Sequence, residues 1–219
     1  MTARLPIGVL ISGSGTNLQA IIDAIARGAL DAEIRVVISN RGDAYGLTRA
    51  QHHHLPTQVI SHRDFATREA FETELIKRLQ DARVDLVVLA GFMRVLSPVF
   101  IRAFPQRIMN IHPSLLPAFP GIHAQRRALE RGVRIAGATV HFVDEEVDHG
   151  PIIIQAAVPV YADDTEDTLS ARILAQEHRI YPRAIQLFAE GRIEVRGNRV
   201  IIHNERRSPD TTLHSPAPP

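Results

Sequence analysis

Near-continuous apolar runs at residues 7–11, 34–38 and 86–90 dominate the first half of the chain. That is the pattern of strands covered on both faces. A shorter run at 57–60 reads as a further strand. Between the runs, apolar residues recur at helical spacing. Leu18, Ile21, Ile22 and Ile25 form one such stripe, closed by Gly28, and Phe71, Leu75 and Leu79 form another. Asp43 and Asp64 are the expected caps of the second and third helices, the second running to about His54, and Ser97-Pro98 supplies a cap and a first-turn Pro for a fourth. A fifth helix is expected at 124–131, with strands at 136–143 and 152–155. Thr165 caps a long helix carrying Leu169, Ile173, Ile180, Ala184 and Phe188; Pro182 inside it is expected to kink or interrupt it. Residues 192–195 and 199–202 flank Gly197-Asn198 as a small C-terminal hairpin. The alternation predicts a single α/β domain over residues 1–203, a mostly parallel central sheet flanked by helices. Residues 204–219, rich in Ser, Pro, Thr and charge, read as a disordered tail.

Composition narrows the partners. The 219 residues are 45% hydrophobic and 22% charged, with a formal net charge of +1. Such a surface gives no reason to expect nucleic acid or an anionic membrane. There is no Cys, which removes thiolate chemistry and fits a reducing cytoplasm. No apolar run reaches the roughly 18 residues of a membrane span, and the first strand begins too early for a signal peptide. The expected partners are small molecules, and the chain is a monomer or a homodimer.

Two polar residues end an apolar run at Ile108-Met109-Asn110-Ile111-His112, and Pro113 stops it. On a strand, Asn110 and His112 point the same way. They stand at a strand's carboxyl end, where open α/β sheets bind ligands. An amide can hold a developing oxyanion, and an imidazole can move a proton near neutral pH. Alone, such a His is more often a structural residue. The loop Ser12-Gly13-Ser14-Gly15-Thr16-Asn17 lies between a strand and a helix, where free N–H groups and the dipole suit a phosphate. Leu18 breaks the dinucleotide fingerprint, and no Gly-Lys-Ser/Thr follows, so a phosphomonoester fits better than a nucleotide. Gln51-His52-His53-His54 is no metal site on a helix, because successive side chains diverge by about 100°; the expected metal complement is none.

Asn110-x-His112 with Ser114-Leu115-Leu116-Pro117, followed by Asp148-x-Gly150-Pro151, resembles the folate-dependent formyltransferases, over about residues 7–191. The resemblance implies a Rossmann-like formyltransferase fold and 10-formyltetrahydrofolate as co-substrate. It points to the branch that formylates glycinamide ribonucleotide in purine synthesis. It implies that Asn110 and His112 stabilise the oxyanion and that Asp148 pairs with His112 and favours its charged form. It places the ribonucleotide at Gly15, Thr16, Asn17 and Glu177. It places the folate at Arg68, Met93, Arg94, Val95, Leu96 and Asn110, with Arg68 at the folate's carboxylate end. Without it, Arg68 and Glu177 read as solvated charges, and Met93 to Leu96 as ordinary packing. Asp144, Glu145 and Glu146 read as a solvated acidic turn. His149 departs from the family's commonest form, which has Gly there. Two relatives within the family, formylating methionyl-tRNA or deformylating the folate, usually carry an extra domain that these 219 residues leave no room for. A silent binding domain is the alternative of another class; the intact Asn110, His112 and Asp148 set weighs against it.

Overall fold

The computed structural model describes residues 4–205 and Ser215. A nine-stranded sheet runs through it in the order β3-β2-β1-β4-β5-β6-β7-β9-β8. Its first five strands in space are parallel: β1 (Leu5–Ile11), β2 (Ala32–Ser39), β3 (Thr57–Val59), β4 (Leu86–Leu89) and β5 (Ile108–His112). Then β6 (Ile135–Phe142) and β7 (Ile152–Pro159) run antiparallel to their predecessors. The hairpin of β8 (Ile193–Arg196) and β9 (Arg199–Ile202) joins β7 through a single register pair, Ile152 with Arg199. The chain winds outward from β1 to β3, then returns to β4 and β5. The switch therefore lies between β1 and β4, and the crevice beyond their carboxyl ends is where sheets of this kind bind ligands.

Alternation assigns each face. Ile7, Val9 and Ile11 of β1 face one core with Leu86 and Val88 of β4 and Met109 and Ile111 of β5. The helices α1 (Thr16–Ala26) and α6 (Glu166–Ala189) cover that side. Leu10, Val87, Leu89 and Ile108 face the other core, under α3 (Arg68–Asp81) and α4 (Pro98–Ala103). Each such buried aliphatic side chain contributes roughly 1.5–3 kcal/mol. Gly8 is required on the α3 side: a Cβ there would lie 2.5 Å from Leu79 Cδ2. Asn110 and His112 share the parity of Ile108, so they stand on the α3/α4 side, as period two predicts.

Several local expectations are corrected. The second helix, α2 (Tyr45–His52), is not capped by Asp43, whose carboxylate instead takes Arg41 at 3.0 and 2.7 Å. Asp64 ends a 3₁₀ turn, His62–Asp64, and Thr67 caps α3 by accepting Ala70 N at 3.1 Å. Pro182 does not interrupt α6, which runs unbroken through it and caps with Thr165 as expected. There Pro182 is buried, so packing outweighs the hydrogen bond its ring forgoes. Strand β7 extends to Pro159, beyond the expected 155, because β6 pairs with it along its whole length. Helix α5 (Ala124–Arg131) and the hairpin lie where expected. The expected disordered tail falls almost wholly outside the described residues.

Candidate functional site

The antiparallel register of β5 and β6 sets Asn110 opposite His141 and His112 opposite Thr139. In β6, Ala138, Val140 and Phe142 face the α1/α6 core, so Thr139 and His141 share a face with Asn110 and His112. The loop after β6 turns back over this face. Gly150 lets it pass, since a Cβ there would lie 2.0 Å from the Phe142 carbonyl oxygen. Asp148 sits in the left-handed region at φ 54°, a conformation Asp tolerates better than most side chains. That turn brings its carboxylate down onto the sheet.

Asp148 is the hub. Its Oδ2 lies 3.2 Å from His112 Nδ1 and accepts Gly121 N at 2.7 Å. Its Oδ1 faces Asn110 Nδ2 at 3.4 Å and His141 Nε2 at 3.7 Å. The other nitrogen of His112, Nε2, lies 2.9 Å from the Phe119 carbonyl oxygen. Both ring nitrogens thus face oxygen acceptors, an arrangement two N–H groups satisfy together.

His141 is a site residue the sequence reading missed. Its Nδ1 donates to the Phe142 carbonyl at 2.8 Å, leaving Nε2 to accept Asn110 Nδ2 at 3.2 Å. Burial pushes this imidazole below its usual range, the Phe142 and Asp148 oxygens opposing. It serves as a neutral acceptor that turns the Asn110 amide. The available signal was parity: a polar Thr139-x-His141 pair alternates with the apolar face of β6.

At the end of β1, Gly15 has φ 70° and begins α1. A Cβ there would meet the backbone of Gly46 at 2.5 Å, so the glycine is needed twice over. Asn17 Nδ2 donates to Glu177 Oε2 of α6 at 2.7 Å, uniting two of the four expected ribonucleotide residues directly. Burial pushes the Glu177 carboxyl above its usual range, the Asn17 donor opposing. Asn17 Oδ1 and His178 Nε2 are buried without partners among the described residues. Thr16, Gln19, Arg49 and His178 line a cavity of about 450 Å³ beside this loop. Arg49 is held there by the Ser14 carbonyl at 2.9 Å and by the Tyr45 ring.

The segment after β4 crosses between these clusters. Ser12 N donates to the Gly91 carbonyl at 3.1 Å, and Met93 N donates to Ser12 Oγ at 2.8 Å. Met93, Arg94 and Val95 are exposed; Leu96 turns into the core and offers only its backbone. Arg68 begins α3, half exposed and 3.9 Å from Glu69, and makes no contact with the Asp148 cluster. His149 is exposed and bonds Asp144 Oδ2 at 2.9 Å, which raises its pKa and braces the acidic turn. Tyr181, fully buried, reaches the carbonyls of Leu89 and Met109 at 3.0 and 2.9 Å, tying β4 and β5 together. Among the described residues, no three His, Cys, Asp or Glu gather as a metal site. No helix there is long and apolar enough to cross a membrane.

Residues 5–185 match the family described as formyl transferase. The chain is 48% identical over 203 residues to the phosphoribosylglycinamide formyltransferase of Escherichia coli, covering 93% of this chain and 96% of that one. It is 53% identical over 190 residues to the trifunctional purine biosynthetic protein adenosine-3 of Drosophila melanogaster, spanning 86% of this chain and 14% of that protein. In three dimensions it resembles the crystal structure of glycinamide ribonucleotide transformylase 1 from Symbiobacterium toebii. That likeness has a TM-score of 0.91 and 56% identity, over 92% of this chain and 95% of that one.

Proposed function

The chain belongs to the formyl transferase family, and from that premise we propose that it carries the formyl group of 10-formyltetrahydrofolate to the amino group of glycinamide ribonucleotide. The products are formylglycinamide ribonucleotide and tetrahydrofolate, within purine biosynthesis. The observation that carries this reading is the joint contact of Asn110 and His112 with one carboxylate, Asp148.

The chemistry makes one C–N bond and breaks another. The acceptor amine attacks the formyl carbon, and its carbonyl oxygen becomes an oxyanion. The folate nitrogen leaves with a proton as the amine gives one up. Asn110 and His112 stabilise the oxyanion, which develops only after attack, when the formyl oxygen takes over a donor that the Phe119 carbonyl or Asp148 faces here. Asp148 holds the His112 ring, and together they pass the proton between the nitrogens. No side-chain nucleophile is needed. Thr16 and the backbone of Gly15–Asn17 receive the phosphate at the start of α1, and Glu177 receives the glycinamide part. The segment Met93–Leu96 receives the pterin through backbone groups, with Arg68 at the folate's carboxylate end. The formyltransferase unit is residues 1–203, working on small molecules as a monomer or homodimer in the cytoplasm.

The test offers 10-formyltetrahydrofolate with either glycinamide ribonucleotide or charged initiator tRNA. Formylation of the ribonucleotide alone is expected. Formylation of the tRNA, or release of free formate with neither acceptor used, overturns the assignment.

A further inference from the structure

Glu72 is a buried carboxylate with no part in the chemistry above. It lies on α3, one turn after Arg68, and only 1% of its surface is exposed. Both its oxygens are engaged by one residue: Ser97 N donates to Oε1 at 2.9 Å and Ser97 Oγ to Oε2. Ser97 is equally buried and stands at the N-cap of α4. A Ser there ordinarily turns its hydroxyl onto its own helix. Here it makes no such bond, because the hydroxyl is given to Glu72. An apolar side chain of the same size would fill this space without removing a carboxylate from water. The two hydrogen bonds to Ser97 are therefore kept for something other than packing.

The stretch it grips is the one proposed for the pterin. Residues 91–97 are fastened at one end by Ser12, through Gly91 O and Met93 N, and at the other by Glu72. Between these points Met93, Arg94 and Val95 are exposed. A backbone that must present fixed N–H and C=O groups to a heterocycle needs both ends held. We propose that Glu72 is a positioning residue for the folate: it clamps the pterin-binding backbone and fixes its distance from Arg68 on the same helix. This rests on the folate assignment above.

Two measurements test it. Hydrogen exchange of peptides spanning 91–98, in the protein without substrates, reads the clamp independently of function. Glu72→Leu is expected to speed exchange there and leave residues 12–17 unchanged. Direct binding then reads the consequence. Glu72→Leu is expected to weaken 10-formyltetrahydrofolate about tenfold, roughly one hydrogen bond's worth, with ribonucleotide Kd unchanged. Glu72→Gln should recover most of the affinity, since its carbonyl still accepts Ser97 N and the Ser97 hydroxyl can reverse. Thermal melting of Glu72→Leu should fall, because the buried Ser97 N–H loses its acceptor, while the ribonucleotide Kd stays unchanged, separating positioning from stability. If Glu72→Leu does not fold, Ser97→Ala is expected to give the same exchange and affinity split, smaller in size. Unchanged exchange at 91–98 overturns the clamp, and so does equal weakening of both substrates. A wild-type protein that never binds the folate overturns the folate assignment, whatever the exchange shows.

Discussion

Asn17 and Glu177, 160 positions apart in the chain, meet at 2.7 Å with both side chains buried. The contact joins the first turn of α1 to the last long helix, and burial raises the pKa of Glu177.

The first expectation follows from that titration. As pH falls through the raised pKa, Glu177 gains a proton, and KM for the ribonucleotide should rise. In Glu177→Gln that limb should vanish, with KM high throughout and the folate KM unchanged. For stability the sign is opposite: burial favours the neutral acid, so the wild-type fold gains as pH falls through the same range and loses as it rises. Glu177→Gln should therefore melt higher at neutral pH. A wild-type pH limb that persists in Glu177→Gln would assign it to another group.

Asp148→Asn keeps the shape of the hub and removes its charge. On the order of 10²–10³ should be lost from kcat, with both KM values near normal. Combined with His112→Ala it should cost little more than either alone, because the two act as one unit. Near-normal kcat in a folded Asp148→Asn protein would remove Asp148 from the mechanism.

His141→Leu deletes the acceptor that turns the Asn110 amide. The expected loss is about tenfold in kcat, one hydrogen bond's worth, and it should be non-additive with Asn110→Ala. Because burial holds His141 neutral, the fold-loss should be flat across neutral pH. A loss appearing only at acid pH would mean that His141 acts by its charge.

Arg68→Ala should weaken the folate only a few-fold, since its side chain is 44% exposed and solvent screens its partner. Folates with longer glutamate tails should show the larger change. Equal Kd values for wild type and variant would return Arg68 to the solvated surface.

Asp164 and Arg172 form a bidentate pair at 2.8 Å, and the guanidinium holds the Asp164 carboxyl well below the usual carboxylate range. The unfolded chain takes up its proton first on acidification, at about pH 4. The pair's contribution is thus full above that value and declines as pH falls further. Asp164→Asn should lower Tm at neutral pH and flatten its acid dependence. Parallel Tm curves for the two proteins would show the pair contributes nothing.

What the sequence made legible was local. Asn110 and His112 face one way because strand parity is a period-two property, and Gly15 begins a helix because the turn needs a positive φ. Three-dimensional partners were less legible. His141 enters the site through a β5–β6 register that no short window contains. Glu72 looks like any helical Glu until Ser97 is brought against it. Caps failed where two short-range partners competed: Asp43 took Arg41 in place of the helix, and Thr67 supplanted Asp64. Pro182, expected to kink or interrupt its helix, is buried inside α6, which runs uninterrupted through it.

The Tyr181 hydroxyl, shared between the Leu89 and Met109 carbonyls, also bears on how the protein is made. Chains emerge from the ribosome amino end first. The segments that carry Gly15, Met93 and Asn110 are all synthesised before α6. Until Tyr181 emerges, those two strand carbonyls lack its hydroxyl, and Asn17 waits for Glu177. The crevice is thus completed among the last events of synthesis, and a chain that stalls before residue 181 exposes an unfinished sheet to chaperones and proteases.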